Sequence, residues 1–485
     1  MKQLFLLFVL LAGGVLNSTA QTKQDNTLAY KQQYALELNS RSSSTNKPDS
    51  ASLSSVVQIG NAPWLRLHIG DYDLGSQSYI TITSMLDGGQ QRLDGKSLMR
   101  WRKNSAFFNG DSVKVELHVA PSEKEVFVRF NELTVGKRFV KDRLGSDGDK
   151  RMSVPQTLCG DDDRVASNDA RVGRINVINT AGATSNPFCT AWLVSNGALL
   201  TAGHCVDSDP DSSGPMLPDG VPDTGFVNGV VEFNVPASLS NGTTVFASPN
   251  DQYPIDTFAW RFDGAGQGLG KDWAVFFAQA NSNTNLLPHL AQRAFFRMSS
   301  EIPAVNQILR VTGFGTDITP VGTGGGRNAQ NQTLQTATGT FTGESSNGAD
   351  VWHSYKVDTT GGNSGGPIIW EANGFTIGIH TTGGCAADNT GNNTGTSFEH
   401  DALETALRVF SGTNVVHVDA ANYPGITNAA RNGTIFRPLS TVVNGVNAVP
   451  TGGIVNIVPG NYNTSITINR AMTLRSPAGT TTIGQ

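Results

Sequence analysis

Three short stretches carry residue types that together perform acyl transfer: Thr201-Ala-Gly-His204-Cys205, Lys271-Asp272-Trp-Ala-Val275 and Asp358-Thr-Thr-Gly-Gly-Asn-Ser364-Gly-Gly-Pro367. A serine hydroxyl is a weak nucleophile at neutral pH, so Ser364 needs a base to take its proton. His204 is the candidate. An imidazole must in turn be held in one tautomer by an acceptor, and Asp272, opening the apolar run Trp273 to Phe277, is the candidate orienter. Asp256 in Pro254-Ile-Asp-Thr-Phe258 competes for that role; Asp272 is preferred because the run behind it buries the chain directly after the carboxylate. Gly362 and Gly365 around Ser364 predict a tight turn on which the backbone N–H groups of Gly362 and Ser364 converge as an oxyanion hole.

The chain order His204, Asp272, Ser364 is that of the chymotrypsin-like proteases and not the Ser, Asp, His order of α/β-hydrolases. Together the motifs resemble the trypsin-like serine endopeptidases, and Thr360-Gly-Gly-Asn-Ser-Gly with Gly378-Ile-His380 is most similar to their glutamyl endopeptidase branch. The resemblance implies a double β-barrel, hydrolysis of peptide bonds in proteins or peptides through an acyl-enzyme, and no metal or organic cofactor. It also implies a substrate pocket. By likeness to glutamyl endopeptidases, His380 on the strand after the nucleophile and Thr359, five residues before it, would hold a substrate carboxylate, with Thr381 and Gly383 along the same wall. Asp358, six residues before Ser364, occupies the position of the trypsin aspartate that selects Lys or Arg. The cysteine a trypsin carries four residues before its nucleophile is replaced by Thr360. Cleavage after acidic residues is the favoured expectation, and basic specificity the alternative.

The four cysteines are Cys159, Cys189, Cys205 and Cys385. An even number in an exported chain favours disulfides. Cys205 follows the proposed base and Cys189 begins the strand leading to it, so these two are expected to pair, leaving Cys159 with Cys385. A zinc site built from His204 and the cysteines has no Cys-x-x-Cys spacing behind it.

The elements that must position these residues are β-strands. Only 15% of the residues are charged, 54 are glycine, and Thr, Ser and Asn abound, as in a loop-rich extracellular all-β protein. A net charge of -5 gives no electrostatic reason to expect nucleic acid. Met1-Lys2, the apolar run Leu4 to Leu11 and Ser18-Thr19-Ala20 read as a secretory signal peptide over 1–20, which predicts a secreted protein with no membrane span in its mature form. Residues 21–54 are polar and read as a flexible leader. Trp64 to Ile69, Ser78 to Ser84 and Val113 to Val119 alternate apolar and polar residues, so 55–135 is expected to be a β-sandwich. It is either a propeptide, making the chain a zymogen, or a permanent module. The charged stretch 136–152 is the expected linker and processing region.

The protease domain is expected over 153–411, ending in a helix from Ala402 to Phe410, with 209–269 an insertion of loops and short strands. Asp207 to Gly214 has the alternating acids of a calcium loop without its closing glutamate, so a solvated turn is expected. Gly322 to Arg327 lacks the following helix that phosphate cradling needs. Residues 412–485 give a short helix and then short strands every eight to ten residues. That rhythm resembles the start of a pectate-lyase-like right-handed parallel β-helix, an incomplete solenoid that either continues past Gln485 or is a docking module, with a cell surface or carbohydrate as its expected contact. Two other function classes stay open: an exported binding or adhesion protein with a vestigial triad, and a solenoid acting on polysaccharide, for which the visible rungs offer no paired carboxylates.

Overall fold

Alternation at period two decides the first body. Ser112–Val119 buries every second residue, and Trp64–Asp73 and Phe127–Gly136 do so over part of their length, so each strand offers one apolar face. The computed structural model describes residues 29–40, 51–138, 156–177, 188–207, 222, 224–262, 269–317, 328–412 and 414–484. The expected signal peptide, the linker from 139 on, the Asp-rich turn beyond Asp207 and the glycine run at 322–327 lie outside the described residues.

Two four-stranded antiparallel sheets form the sandwich. One runs Ala29–Asn39, Phe127–Gly136, Trp64–Asp73, Asn104–Asn109, and the other Ala51–Gln58, Ser112–Val119, Tyr79–Ser84, Gln90–Leu93. The flexible-leader expectation is therefore corrected over part of 21–54. Ala29–Asn39 is an edge strand whose Leu36 pairs with Phe130, and Lys31 and Glu37 bind Glu132 (2.7 Å) and Arg129 (2.8 Å) across the ladder. Its apolar residues Tyr34, Leu36 and Leu38 do alternate, but charged and amide neighbours dilute them below what composition registers.

The first barrel closes in the order Val172–Asn176, Phe188–Leu193, Leu199–Thr201, Trp273–Ala278, Gln252–Arg261, Val230–Glu232. Two of its strands thus come from 209–269, which corrects the reading of that region as an insertion. Pro254, Asp256 and a register shift between Ile255 and Phe258 break the alternation that would have marked the longer strand. The second barrel closes through Ile308–Gly313, Gln335–Asn347, Asp350–Lys356, Asn393–Ser397, Phe375–Thr382 and Pro367–Trp370, with Val165–Ala166 added at an edge. The fold is the chymotrypsin-like double barrel.

Strand Phe188–Leu193 shows how the layers form: Cys189, Ala191 and Leu193 point into the first barrel, whereas Trp192 joins the core between the barrels with Leu200, Ile369 and Ile379. Helix Asp401–Ser411 places Leu403 and Leu407 on that same core. Fully burying such side chains contributes about 1.5–3 kcal/mol each, so the layer between the barrels holds the cleft rigid.

Beyond the helix, Val415–Val418, Ile454–Ile457 and Thr473–Arg475 pair in parallel, as do Gly460–Tyr462 and Thr481–Ile483, around Val418, Val442, Val446 and Val455. Ile466 to Ile468 is not a strand. No described helix is long and apolar enough to cross a membrane.

Candidate active site

Register brings the first two residues together. Thr201 pairs with Ala274, so the residue just before strand Trp273–Ala278 lies beside the 3-10 turn Gly203–Cys205. That turn needs its glycine, because a Cβ on Gly203 would stand 2.2 Å from the Arg261 carbonyl. His204 consequently donates its backbone N–H to Asp272 Oδ1 (2.9 Å), and its Nδ1 lies 2.6 Å from Asp272 Oδ2. A carboxylate can only accept, so Nδ1 carries the proton and Nε2 keeps its lone pair. The acid is buried, and its carbonyl accepts from Thr396 Oγ1 of the second barrel (2.8 Å). Burial disfavours a charge on the His204 ring, but the Asp272 carboxylate and its hydrogen bond outweigh that and raise the ring above its ordinary 6.5. Phe262 sets its ring 5.8 Å from the imidazole.

Ser364 sits in the turn between Thr359–Thr360 and Pro367–Trp370. Gly365, at φ +88°, allows that turn to press on the strands leading to the histidine: a Cβ there would lie 2.2 Å from both the Thr190 carbonyl and Thr201 Oγ1, and 2.9 Å from Ala202 N. The Ser364 carbonyl accepts from Thr190 N–H (2.8 Å). Peptide planarity then orients the two neighbouring N–H groups. The Gly361 carbonyl is held by Thr316 N–H (2.9 Å) and the Asn363 carbonyl by Gly366 N–H (2.8 Å), so the N–H groups of Gly362 and Ser364 face the opposite way. Among the described residues neither has a protein acceptor.

Disulfides brace both sides. Cys189 bonds Cys205 across the histidine turn, and Cys159 bonds Cys385. Cys189, His204 and Cys205 lie close enough to suggest a metal set, but the two sulfurs are bonded to each other and offer no thiolate.

Residues 170–399 match the family model described as Trypsin. This stretch is similar to trypsin-like serine protease domains. Similar solved structures are a Glu endopeptidase in complex with MPD (18% identity, TM-score 0.36, covering 52% of this chain and 99% of that one), the thermostable serine protease AL20 from an extremophilic microorganism (17%, 0.36, 50% and 98%) and the protease Anisep from Arthrobacter nicotinovorans (16%, 0.36, 52% and 100%). No curated protein matches the chain.

The pocket candidates of the trypsin-like domain separate. His380 is buried; burial, and then the nearby His204 charge, push its ring down to about 3, so it is neutral. Its Nδ1 lies 2.7 Å from the Tyr355 hydroxyl. Thr359 Oγ1 accepts from Asn393 Nδ2 (3.0 Å) and meets Thr157 Oγ1 (2.8 Å). A Cβ on Gly383 would stand 1.9 Å from Thr157 Cγ2, which seats Thr157 against the same wall. Thr381 is buried beside the Thr382 hydroxyl (3.5 Å). Asp358 turns elsewhere: its carboxylate accepts from the N–H groups of Cys159 (2.6 Å) and Asp163 (2.9 Å). Burial and then the Asp358 charge raise the Asp163 carboxyl to about 6.

Thr157, Tyr355 and Asn393 escaped sequence reasoning. Thr157 is about two hundred residues from Thr359 and carries no motif. Tyr355 had a weak signal, since His353-Ser-Tyr355 places two polar-tipped rings on the inner face of one strand. If His204 acts as the base, kcat/KM must rise with pH as the ring loses its proton. The raised midpoint places the acid limb above 6.5. A pH profile of kcat/KM checks this, and a limb centred below that value contradicts it.

Proposed function

We propose that this chain is a secreted serine endopeptidase that cuts after acidic residues, with Ser364 as nucleophile, His204 as general base and acid, and Asp272 as the orienting acid. The observation that carries the reading is the double grip of Asp272 on His204, which puts the ring proton on Nδ1 and leaves Nε2 as the basic nitrogen.

Ser364 Oγ attacks the peptide carbonyl while Nε2 takes its proton. The Gly362 and Ser364 N–H groups receive the oxyanion, a contribution of about 3–4 kcal/mol per donor in comparable enzymes. His204 then gives the proton to the leaving amine, and water repeats the sequence on the ester. A secreted location is supported by two disulfides, which persist in oxidising compartments.

Acidic specificity is supported by where the one candidate anion of the pocket is spent. Asp358 spends both oxygens on backbone N–H groups, which argues against its selecting a cation. His380 and Thr359 lie together on the opposite wall and carry no negative charge that would repel a substrate carboxylate, with His380 braced by the Tyr355 hydroxyl and Thr359 by Thr157 and Asn393. Matched peptides with Glu or Lys before the scissile bond test this: Glu turnover is expected, with His380→Ala lowering kcat/KM for Glu about 10- to 100-fold, the worth of a hydrogen bond to a charged group. Fast Lys turnover without Glu turnover would end the acidic reading. A fluorophosphonate that fails to label Ser364 would favour the binding protein with a vestigial triad.

A further inference from the structure

The sandwich and the first barrel share one core: Phe188, Val230 and Phe246 of the barrel side pack with Trp64, Phe107, Val113 and the other sandwich residues. Phe246 stacks on Phe107 at 4.3 Å and meets Trp64 edge-on at 5.1 Å.

The polar contacts are reciprocal. The Gln252 side chain pairs with the Phe107 backbone as a strand would, accepting from its N–H (2.8 Å) and donating to its carbonyl (2.9 Å). Two residues further on, the Asn109 side chain does the same to the Phe246 backbone, at 2.9 Å in both directions. Both amides are buried. Arg66 donates to the Asn228 carbonyl (3.0 Å) and Arg102 to that of Ile255 (2.9 Å). The loop that receives Asn109 is itself pinned to the barrel, since Glu232 accepts from Ala247 N–H (2.8 Å) and its salt-bridge partner Arg174 donates to the Val245 carbonyl (2.8 Å).

Without the sandwich, Phe246 would lie bare and the backbone groups and amides of this seam would lose their partners, the costly kind of loss for buried polar atoms. The hydrogen bonds and ring contacts between the bodies fall on barrel residues between 227 and 283. Among the described residues none falls on His204, Asp272, Ser364 or the pocket. None of the described contacts of the sandwich therefore closes the cleft.

We propose that residues 29–136 are a permanent subunit of the first barrel, which remains seated when the chain is cut between Arg138 and Gln156 and without which the barrel is not stable. The sandwich is a structural partner of the enzyme and not a detachable inhibitor.

The test places a recognition sequence for a specific protease between Arg138 and Gln156 of the full chain and cuts it after folding. The two pieces are expected to co-elute in native buffer and to melt in one transition, separating only in denaturant. Asn109→Ala, far from the cleft, is expected to lower the guanidinium concentration at which the cut pieces part. Separation of the cut pieces in native buffer, two separate melting transitions, or an Asn109→Ala chain whose pieces part at the parent's guanidinium concentration each overturns the proposal. None of these readouts needs catalytic activity.

Discussion

Ser364→Ala is expected to lower kcat on a Glu-containing peptide about 10^6-fold, the loss seen when the nucleophile of a comparable serine protease is removed. Stability should be untouched. Among the described residues the Ser364 hydroxyl makes no hydrogen bond to the protein, and what fastens its turn is backbone: the Ser364 carbonyl on Thr190, Gly365 N–H on the His380 carbonyl (2.7 Å) and Gly366 N–H on Asn363. The melting temperature should therefore match the parent while fluorophosphonate labelling disappears. Activity should not reach the uncatalysed rate, because the Gly362 and Ser364 N–H groups keep their directions and still hold an oxyanion against attack by water. His204→Ala should cost a similar factor, and combining it with Ser364→Ala should add almost nothing, since a base without its nucleophile has no proton to take. A double variant losing the product of the two single factors would mean that the residues do not act as one unit. Full activity in Ser364→Ala would place the nucleophile elsewhere.

What the sequence made legible is what a few adjacent residues settle alone. His204 needs a glycine that lets the turn pass the Arg261 carbonyl, and Ser364 needs Gly365 with its positive φ; both are written beside them. The rhythm of the short C-terminal segments marked most of their strands, whereas that these pair in parallel is seen only in the fold. Contacts between distant strands were not legible. The neutrality of His380 depends on complete burial within the second barrel, and Thr359 is met by Thr157 and Asn393 from two other strands. Asp358 has the spacing of a specificity residue, and only the fold turns it toward Cys159 and Asp163. The strands Val230–Glu232 and Gln252–Arg261 were hidden for a related reason. Gln252 and Phe246 face the sandwich, so the polar residues and loops of 233–251 read as surface when taken alone. Ala29–Asn39 was hidden because the residues it sets against the sandwich core, Ala29, Tyr34, Leu36 and Leu38, are interleaved with charged and amide residues on its outer face.

The choice between Asp272 and Asp256 gives the second large effect. Asp272→Asn keeps the size and burial of the side chain, but its amide nitrogen must face one of the two groups the carboxylate now accepts from. With the amide oxygen on the His204 N–H, the NH2 group meets Nδ1, which can then only accept. The ring proton moves to Nε2, the one atom that must be bare to take the Ser364 proton. The expected loss in kcat is about 10^4-fold at neutral pH, as for the same substitution in a comparable triad. The charge that raises His204 is lost too, so burial is left to act alone and the acid limb of kcat/KM should move to lower pH. Asp256→Asn should stay within a few-fold of the parent, because that carboxylate instead influences Arg102 of the sandwich. Kinetics of the two variants on one substrate decide between them: equal losses, or a larger loss at Asp256, would remove Asp272 from the mechanism, whereas the pair of results above could arise only if the acid that touches His204 is also the one that sets its tautomer.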